Sequence, residues 1–337
     1  MSIPTTRLGR TGLVVSRLAL GTMTFGLQTD EATSHRILDK ASEGGINFID
    51  TADVYPLGGT VETIGRTEEI VGRWLKGQGA QRDRYIVATK ACGKVGPNPW
   101  DQGASRKHLL DAIDKSLKRL QTDHVDLYQL HHDDRETPLD ESLEALDVIV
   151  KSGRARYIGV SNFLAYRLAR AIGKSQLLKL TQLVSVQPRY SLLFREIERE
   201  LLPLVGEEGL GVIPYNPLAG GLLTGKYQQG IETQRDDNTR FTLGTAGSMY
   251  SDRYWNERSF DTVKELQKIA QEAGVPLATL AVAWVMANPL ITAPLLGASR
   301  PEQLDATLAA AEYKLDPALK KKLDDLTAQY RKGDAPR

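Results

Sequence analysis

The sequence is short of cysteine and of long apolar runs, and each shortage excludes a class of protein. Cys92 is the only cysteine among 337 residues, which rules out an internal disulfide framework and fits a reducing compartment. No apolar run approaches the length of a membrane span, and residues 1–16 lack the apolar core of a signal peptide. We therefore expect a cytoplasmic protein with no membrane partner.

The chain also has almost no net charge. The 43 Lys and Arg residues nearly balance the 42 Asp and Glu residues, leaving a formal charge of +1. No field of the whole protein then favours nucleic acid, so we expect a small-molecule partner. The 41% hydrophobic and 25% charged residues are ordinary for a folded chain, and no linker or repeat interrupts it. These features predict one domain over residues 1–337.

What the chain has is an alternation of short apolar runs with amphipathic stretches of helical spacing. The predicted strands are Arg17 to Gly21, Asn47 to Asp50, Tyr85 to Lys90, Val125 to His131, Arg156 to Ser161, Leu183 to Gln187, Gly211 to Asn216 and Ile291 to Ala298. Helices are predicted between them, for example from Glu31, Thr67, Ser105, Pro138 and Pro301. A further helical pair is predicted from about Ser259 to Asn288.

Eight strand and helix units without intervening hairpins predict parallel pairing through right-handed crossovers. This count favours an α/β fold of the (β/α)₈ TIM-barrel type over an open doubly wound sheet, although strand number alone does not prove closure. Three long stretches follow strands: one after Tyr55, one after Lys90, and a polar run from Gln228 to Glu257. In a barrel they would rim the C-terminal face, where active sites are built.

Four ionisable residues fall at or just after consecutive predicted strand ends: Asp50, Tyr55, Lys90 and His131. In a parallel barrel such positions converge on one mouth. A phenol is a poor acid at neutral pH unless a cation favours the phenolate, so we expect Lys90 to lower the pKa of Tyr55 and Asp50 to keep Lys90 charged. A neutral His131 would hold a substrate carbonyl as negative charge develops on its oxygen. The group predicts proton-coupled hydride transfer.

Each of these residues also has an ordinary structural interpretation, such as a turn cap, a rim aromatic or a hydrogen-bonded core histidine, and only their joint placement favours catalysis. The run of His131, His132, Asp133 and Asp134 has metal-ligand chemistry. Adjacent strand residues point to opposite faces, however, and no histidine occurs on later strands, so we predict no metal site. Cys92 is interpreted as an unpaired thiol.

No G-x-G-x-x-G segment joins a predicted strand to a helix, so a Rossmann dinucleotide site is not supported. The segment GASRPEQ, from Gly297 to Gln303, instead offers a glycine turn, a hydroxyl, a guanidinium and a helix start after the eighth strand. Such a group suits a phosphate at a barrel rim, although an ordinary capped helix start explains it equally well. Tyr215, at the end of the seventh strand, could stack on a planar ring.

Together these motifs resemble the aldo-keto reductase superfamily over nearly the whole chain. The opening RLGRTGLVVSRLALGTMTFG resembles its N-terminal hairpin and first strand, and GINFIDTADVY, DLYQLHH and RYIGVSNF resemble its Asp–Tyr, His and Ser–Asn segments. The resemblance implies NADPH-dependent reduction of an aldehyde or ketone, with Tyr55 as proton donor, Lys90 and Asp50 tuning it, and His131 orienting the carbonyl.

The resemblance also implies a cofactor site. Ser161, Asn162 and Gln187 would hold the nicotinamide carboxamide, and Tyr215 would stack on its ring. The further implied cofactor residues are Gly21, Thr22, Met23, Asn216, Pro217, Leu218, Gly220, Leu222, Lys226, Arg240, Gly297, Ser299, Arg300 and Gln303. Ser299, Arg300 and Gln303 would take the 2′-phosphate, which favours NADP(H). Two positions depart from the pattern of well-known eukaryotic members: Gly297 replaces a lysine and Thr307 an asparagine.

The branch with a long loop after GGLLTGKY is similar to bacterial reductases and to potassium-channel β subunits. An alternative function stays open: a nicotinamide-sensing regulatory subunit with incidental turnover. For the protein itself we expect a monomer or a homo-oligomer. A metal-dependent barrel hydrolase is a third interpretation. The substrate wall is expected to include Val54, Trp100, His132 and Tyr190, together with Arg189 and the run from Tyr250 to Trp255. None of these residues names the substrate.

Overall fold

The computed structural model describes residues 3–227 and 239–331, with the side chain of residue 245 left out. The chain opens with a hairpin of two antiparallel strands, β1 (Thr5–Arg7) and β2 (Val14–Ser16). Leu8, in the turn between them, is fully buried and packs with Leu127 and Ile213 inside the sheet. The backbone N–H of Arg10 donates to Gly209 O at 2.9 Å. The predicted hairpin is thus confirmed, and it closes one end of the fold.

Eight parallel strands follow, in the order in which they occur in the chain. They are β3 (Ala19–Gly21), β4 (Phe48–Asp50), β5 (Ile86–Ala91), β6 (Val125–Leu130), β7 (Ala155–Ser161), β8 (Leu183–Gln187), β9 (Gly211–Val212) and β10 (Leu295–Leu296). β10 pairs with β3, so the first and last strands are neighbours. Thr292 N donates to Val212 O at 2.8 Å and Leu295 N to Pro214 O at 2.8 Å, which joins the last strand to β9. The ring is closed, and the barrel rather than the open sheet is confirmed.

Helices surround the barrel. In the described ranges they are α1 (Glu31–Glu43), α2 (Arg66–Gly77), α3 (Arg106–Leu120), α4 (Leu139–Lys151), α5 (Ala165–Leu177), α6 (Leu201–Glu208), α7 (Gly244–Tyr254), α8 (Glu257–Glu272), α9 (Leu277–Met286), α10 (Gln303–Leu308) and α11 (Pro317–Leu326). Side chains satisfy first-turn N–H groups at several helix starts. Asp30 accepts from Thr33 N before α1, and Ser105 accepts from His108 N before α3.

Prolines explain why the last two strands are shorter than predicted. The predicted strand from Gly211 to Asn216 is paired only at Gly211–Val212, and Pro214 has no N–H to donate. Pro294 has the same effect before β10. The helix predicted from Pro301 begins at Gln303, because residues 301 and 302 form a turn.

The stretch predicted as a long polar loop, from Gln228 to Glu257, contains a helix in the structure. Residues 228–238 lie outside the described residues, but Gly244–Tyr254 forms α7. Ala246, Tyr250 and Tyr254, spaced four residues apart, are all buried. This spacing places them on one helix face, which packs against the barrel rim.

None of the helices in residues 3–227 and 239–331 is both long and apolar enough to cross a membrane alone. The pair α8 and α9 passes such a test only jointly, and its two helices are bent by 93°.

Candidate active site

The four predicted catalytic residues converge at the carboxyl ends of neighbouring strands. Asp50 ends β4, Lys90 lies near the end of β5, His131 follows β6, and Tyr55 stands in the loop after β4. Strand register pairs Asp50 with Ala88 and Lys90 with Gln129, so these ends lie at one level of the barrel. The predicted juxtaposition is present at the C-terminal mouth.

Lys90 and Asp50 form a buried ion pair beneath the mouth. Lys90 Nζ lies 2.5 Å from Asp50 Oδ2 and also donates to Thr51 O at 2.8 Å. The side chain of Lys90 is 0% exposed and that of Asp50 is 3% exposed. A buried charge is tolerated only when it is paired and hydrogen-bonded, and this pair meets that condition.

Two glutamines complete the shell around Asp50. Gln129 Nε2 donates to Asp50 Oδ1 at 3.1 Å, and Gln187 Nε2 donates to the same oxygen at 2.8 Å. Gln129 is absent from the predicted set. The signal for it was an amide side chain near the end of a mostly apolar strand, where side chains approach the C-terminal mouth.

The phenol of Tyr55 lies over this pair. Its ring centroid is 5.1 Å from Lys90 Nζ, and its edge meets the ring of His131 at a centroid distance of 5.6 Å. Burial, followed by the negative charge of Asp50, raises the pKa of Tyr55 well above 10. This differs from the expectation that Lys90 would lower it, because the phenol is buried and Asp50 offsets the lysine charge. Tyr55 is held as the neutral acid.

His131 is uncharged as well, because its surroundings favour the neutral imidazole. Burial, then the positive charges of Lys90 and His132, lower the pKa of His131 well below 6.5. Its backbone is fixed at both ends: His131 N donates to Ala91 O at 2.8 Å, and His131 O accepts from Asn162 Nδ2 at 2.9 Å. A neutral imidazole beside a neutral phenol can bond a carbonyl oxygen, as the sequence predicted.

His132 also lines the cavity, contrary to the argument from strand alternation. β6 ends at Leu130, so both histidines lie in the following loop and the alternation of a strand does not apply. Cys92 Sγ is 3.6 Å from His132 Nδ1, and burial raises the pKa of this thiol to about 12. Within the described ranges no three His, Cys, Asp or Glu side chains gather as a metal site.

A cavity of about 910 Å³ extends from this mouth across the barrel rim. Asp50, Tyr55 and His131 line it, whereas Lys90 lies beneath its floor. Its wall includes most residues of the implied cofactor site: Gly21, Thr22, Met23, Ser161, Asn162, Gln187, Tyr215, Asn216, Pro217, Leu218, Gly220, Lys226, Arg240, Gly297, Ser299, Arg300 and Gln303. Leu222 is the exception, because its side chain is fully buried in the core.

Near the catalytic residues, the cavity wall is a hydrogen-bonded chain. Tyr215 Oη donates to Asn162 Oδ1 at 2.8 Å, and Ser161 Oγ donates to Gln187 O at 2.8 Å. Asn162 is exposed and adopts a left-handed backbone with φ +59°. Its side chain therefore reaches the cavity from a sharp turn just after β7.

The far end of the cavity is rich in donors. Arg300 is exposed there, and Gln303 Oε1 accepts from Ser299 N at 2.8 Å, which fixes the turn before α10. Elsewhere on the cavity wall, the Arg240 guanidinium lies 5.4 Å from the Tyr250 ring centroid, and its Nη1 is buried without a hydrogen-bond partner among the described residues. Thr307 faces the core and donates to Leu304 O at 3.0 Å. A buried, unmatched guanidinium together with Arg300 suits an anionic ligand.

Two of the expected substrate-wall residues lie elsewhere. Tyr190 is buried and donates to Glu198 Oε1 at 2.8 Å, and Trp100 is 54% exposed on a loop outside the cavity. We correct both assignments. Arg189 also lies away from the wall, with its guanidinium 3.5 Å from the Phe194 ring centroid. Val54 does line the cavity, as does Tyr250 from α7.

Comparison with known proteins matches the sequence to one family. The model described as the Aldo/keto reductase family matches residues 17–328. The chain is 43% identical over 326 residues to the Uncharacterized oxidoreductase YrpG of Bacillus subtilis (strain 168), covering 95% of each chain. It is 36% identical to the Probable voltage-gated potassium channel subunit beta of Arabidopsis thaliana, covering 90% of each.

The name of a further relative states its substrate. The L-glyceraldehyde 3-phosphate reductase of Escherichia coli (strain K12) is 34% identical over 305 residues, which cover 90% of this chain and 86% of that protein.

Proposed function

The chain belongs to the aldo/keto reductase family, and on that premise we propose that it reduces an aldehyde or ketone to the alcohol with NADPH, reversibly. The observation that carries the proposal is the pairing of an uncharged phenol with an uncharged imidazole above the Lys90–Asp50 ion pair, at the rim of one large cavity. An oxidoreductase acting on a small molecule is also what the relatives' names support.

In this reaction each of the four residues has a specific role. NADPH, when bound, supplies a hydride to the carbonyl carbon. His131 donates a ring N–H to the carbonyl oxygen and holds it toward Tyr55. Tyr55 gives its phenolic proton to that oxygen, so that one hydride and one proton add across the double bond. The phenolate left behind lies near Lys90, whose charge Asp50 maintains, and it regains a proton from water.

The cavity lining fits the cofactor. Ser161, Asn162 and Gln187 offer donors and acceptors for a carboxamide, and Tyr215 offers a ring for the nicotinamide to stack on. Lys226, Arg240, Ser299 and Arg300 offer the charges and hydroxyl that phosphates prefer. The buried Nη1 of Arg240, which has no hydrogen-bond partner among the described residues, supports an anion at the cavity wall. We place the 2′-phosphate of NADP(H) at Ser299, Arg300 and Gln303. A single domain, a cytoplasmic location and a monomeric or homo-oligomeric state stay predictions.

Replacing Tyr55 with phenylalanine tests the assignment. Tyr55→Phe keeps the ring against His131 but removes the proton donor, so we expect kcat for carbonyl reduction to fall about 10²- to 10⁴-fold. The Kd for NADPH, measured by fluorescence titration, should stay within about twofold of the wild-type value. The matched control is Tyr166→Phe, on the exposed face of α5. Retained turnover in Tyr55→Phe would remove Tyr55 from the reaction.

The second candidate is a nicotinamide-sensing regulatory subunit, which the names of the channel-subunit relatives favour. The two functions differ in steady-state behaviour. The reductase oxidises many equivalents of NADPH in the presence of an aldehyde panel, and its rate saturates with the aldehyde. A sensor binds NADPH and stops after about one equivalent. Counting NADPH oxidised per protein molecule separates them.

A further inference from the structure

The cavity wall carries an excess of positive charge. In the described part of the chain, five cationic side chains line it: Lys94, Lys226, Arg240, Arg253 and Arg300. Only two carboxylates do so, Asp50 and Glu302, and Lys90 already neutralises Asp50. The protein as a whole carries a formal charge of only +1. The positive charge is therefore concentrated where ligands enter, an arrangement that attracts anions.

The proposed cofactor site accounts for three of these cations, but not for Arg253. Arg253 is half-buried on α7, and none of the ion pairs or hydrogen bonds among the described residues involves it. Arg167 and Arg195, which are also half-buried or buried, do have carboxylate partners: Arg167 lies 2.8 Å from Asp133 and Arg195 lies 2.8 Å from Glu198. A guanidinium that lines the cavity and has no carboxylate partner among the described residues is available to an incoming anion.

Arg253 is held firmly and close to the site. It follows Tyr250 by one helical turn, and its guanidinium lies 6.0 Å from the Tyr250 ring centroid. Tyr250 is 2% exposed, and Tyr254 Oη accepts from Asn216 Nδ2 at 3.2 Å, which ties α7 to the loop after β9. The placement of Arg253 is thus set by a packed helix.

The charge of Arg253 reaches the hydrogen-bonded chain beside the catalytic residues. Burial raises the pKa of Tyr215, and the positive charge of Arg253 is the foremost influence that opposes this rise. Tyr215 bonds to Asn162, which in turn bonds to the backbone of His131. His131 and Arg253 also border the same cavity, so one substrate can meet both. Lys94 also lines the cavity, but it is exposed, and water screens such a charge more strongly.

We propose that Arg253 recognises an anionic group, a carboxylate or a phosphate, on the carbonyl substrate, with Tyr250 as the neighbouring aromatic wall. The inference rests on the proposed reductase function and adds a substrate class to it: carbonyl compounds that carry a negative charge at a distance from the reacting carbon.

Matched substrates test the inference on the whole enzyme. 4-Carboxybenzaldehyde and 4-nitrobenzaldehyde share a ring and an aldehyde but differ in charge, and glycolaldehyde phosphate and glycolaldehyde form an aliphatic pair. The readout is the ratio of kcat/KM for the anionic member to that for the neutral one. Arg253→Gln should lower this ratio about tenfold or more, the size of a lost charge-assisted bond. The first pair reports on a carboxylate and the second on a phosphate.

Two further variants set the controls. Arg253→Lys keeps the charge and should recover part of the ratio. Arg170→Gln removes an exposed arginine on α5 and should leave the ratio at the wild-type value. NADPH affinity is measured for all variants, because a contact to the cofactor would raise the Kd for NADPH and leave the ratio alone.

The outcomes are distinct. A fall in either ratio with unchanged NADPH affinity supports the inference. An unchanged ratio in both pairs, or a loss confined to NADPH binding, overturns it while leaving the reductase function intact. If the wild-type enzyme reduces none of the four aldehydes, the proposed reductase function is contradicted, and the inference about Arg253 is contradicted with it.

Discussion

At the scale of single residues, burial and hydrogen bonding set the electrostatics of the site. The phenol of Tyr55 stays protonated and the ring of His131 stays neutral, both chiefly because they are buried. Four hydrogen bonds satisfy the buried pair of Lys90 and Asp50: one within the pair, one from Lys90 to Thr51 O, and one to Asp50 from each of Gln129 and Gln187. Burial selects the neutral form where partners are few and the charged form where partners are complete.

Residue types and strand-end positions predicted the tetrad, since neighbouring parallel strands bring their ends together. They did not predict the direction of the Tyr55 pKa, because this depends on how fully Asp50 offsets the lysine. They also misplaced Tyr190 and Trp100. Tyr190 follows β8 closely enough to face the mouth, but its hydroxyl bonds to Glu198 instead. The hydrogen-bond partner of a polar side chain depends on the three-dimensional packing around it, and the spacing of residues in the sequence does not reveal it.

Asp53 provides a test of these electrostatics two residues before Tyr55. Its carboxylate is 1% exposed, and neither oxygen has a well-formed hydrogen bond among the residues that the structure describes. Burial, and then the charge of Glu68, raise the pKa of Asp53 well above its usual value. As the pH rises through the unfolded-state pKa of about 4, the unfolded chain releases a proton that the folded chain keeps, so stability is lost.

Asp53→Asn should therefore stabilise the protein at neutral pH by about 1 to 3 kcal/mol, because it removes the carboxylate that favours the unfolded state. Near pH 4 the two proteins should differ little, since both chains are then close to neutral at this position. Urea unfolding at pH 4 and pH 7.5 measures both values, with the exposed Asp83→Asn as control. An equal effect of Asp53→Asn at the two pH values would contradict the raised pKa.

At the scale of elements, the eight strands and the main barrel helices followed from periodicity, but α7 did not. The segment GTAGSMYSDRY is rich in glycine and serine, which weakens a helical signal, and it sits in a polar run. Its helix is set by tertiary packing of Tyr250 and Tyr254. Gly220 allows the close approach: a Cβ there would lie 2.7 Å from Tyr250 Cδ1, and the residue has φ +70°. Elements that depend on such contacts are invisible to local pattern.

The turn before α10 yields a prediction about cofactor choice. Arg300 is exposed at the cavity rim, and the bond from Ser299 N to Gln303 Oε1 orders the turn around it. If this turn holds the 2′-phosphate, Arg300→Ala should weaken NADPH binding about tenfold or more and leave NADH binding nearly unchanged. Titration of both cofactors gives the two Kd values. An equal loss for NADPH and NADH would place the phosphate elsewhere.

At the scale of the whole molecule, the closed barrel separates stability from chemistry. The hairpin and the apolar interior around Leu8 and Leu127 fill the N-terminal side. The loops of the C-terminal side carry Tyr55, His131 and the positively charged cavity wall. From the nearly zero net charge we predicted a partner that is a small molecule. This balance of the whole chain conceals a local excess of cationic side chains at the mouth of the barrel. Only the fold reveals that excess, because the five cationic residues are far apart in sequence.

The central claim is direct transfer of a hydride from NADPH to a carbonyl carbon at the Tyr55 site. The most direct measurement uses NADPH carrying deuterium at both C4 positions, 4-nitrobenzaldehyde as acceptor, and mass spectrometry of the alcohol. The account predicts one deuterium on the carbinol carbon per NADPH oxidised, with formation of this product falling about 10²-fold or more in Tyr55→Phe. Alcohol without deuterium, or labelled alcohol formed equally fast by Tyr55→Phe, would contradict it.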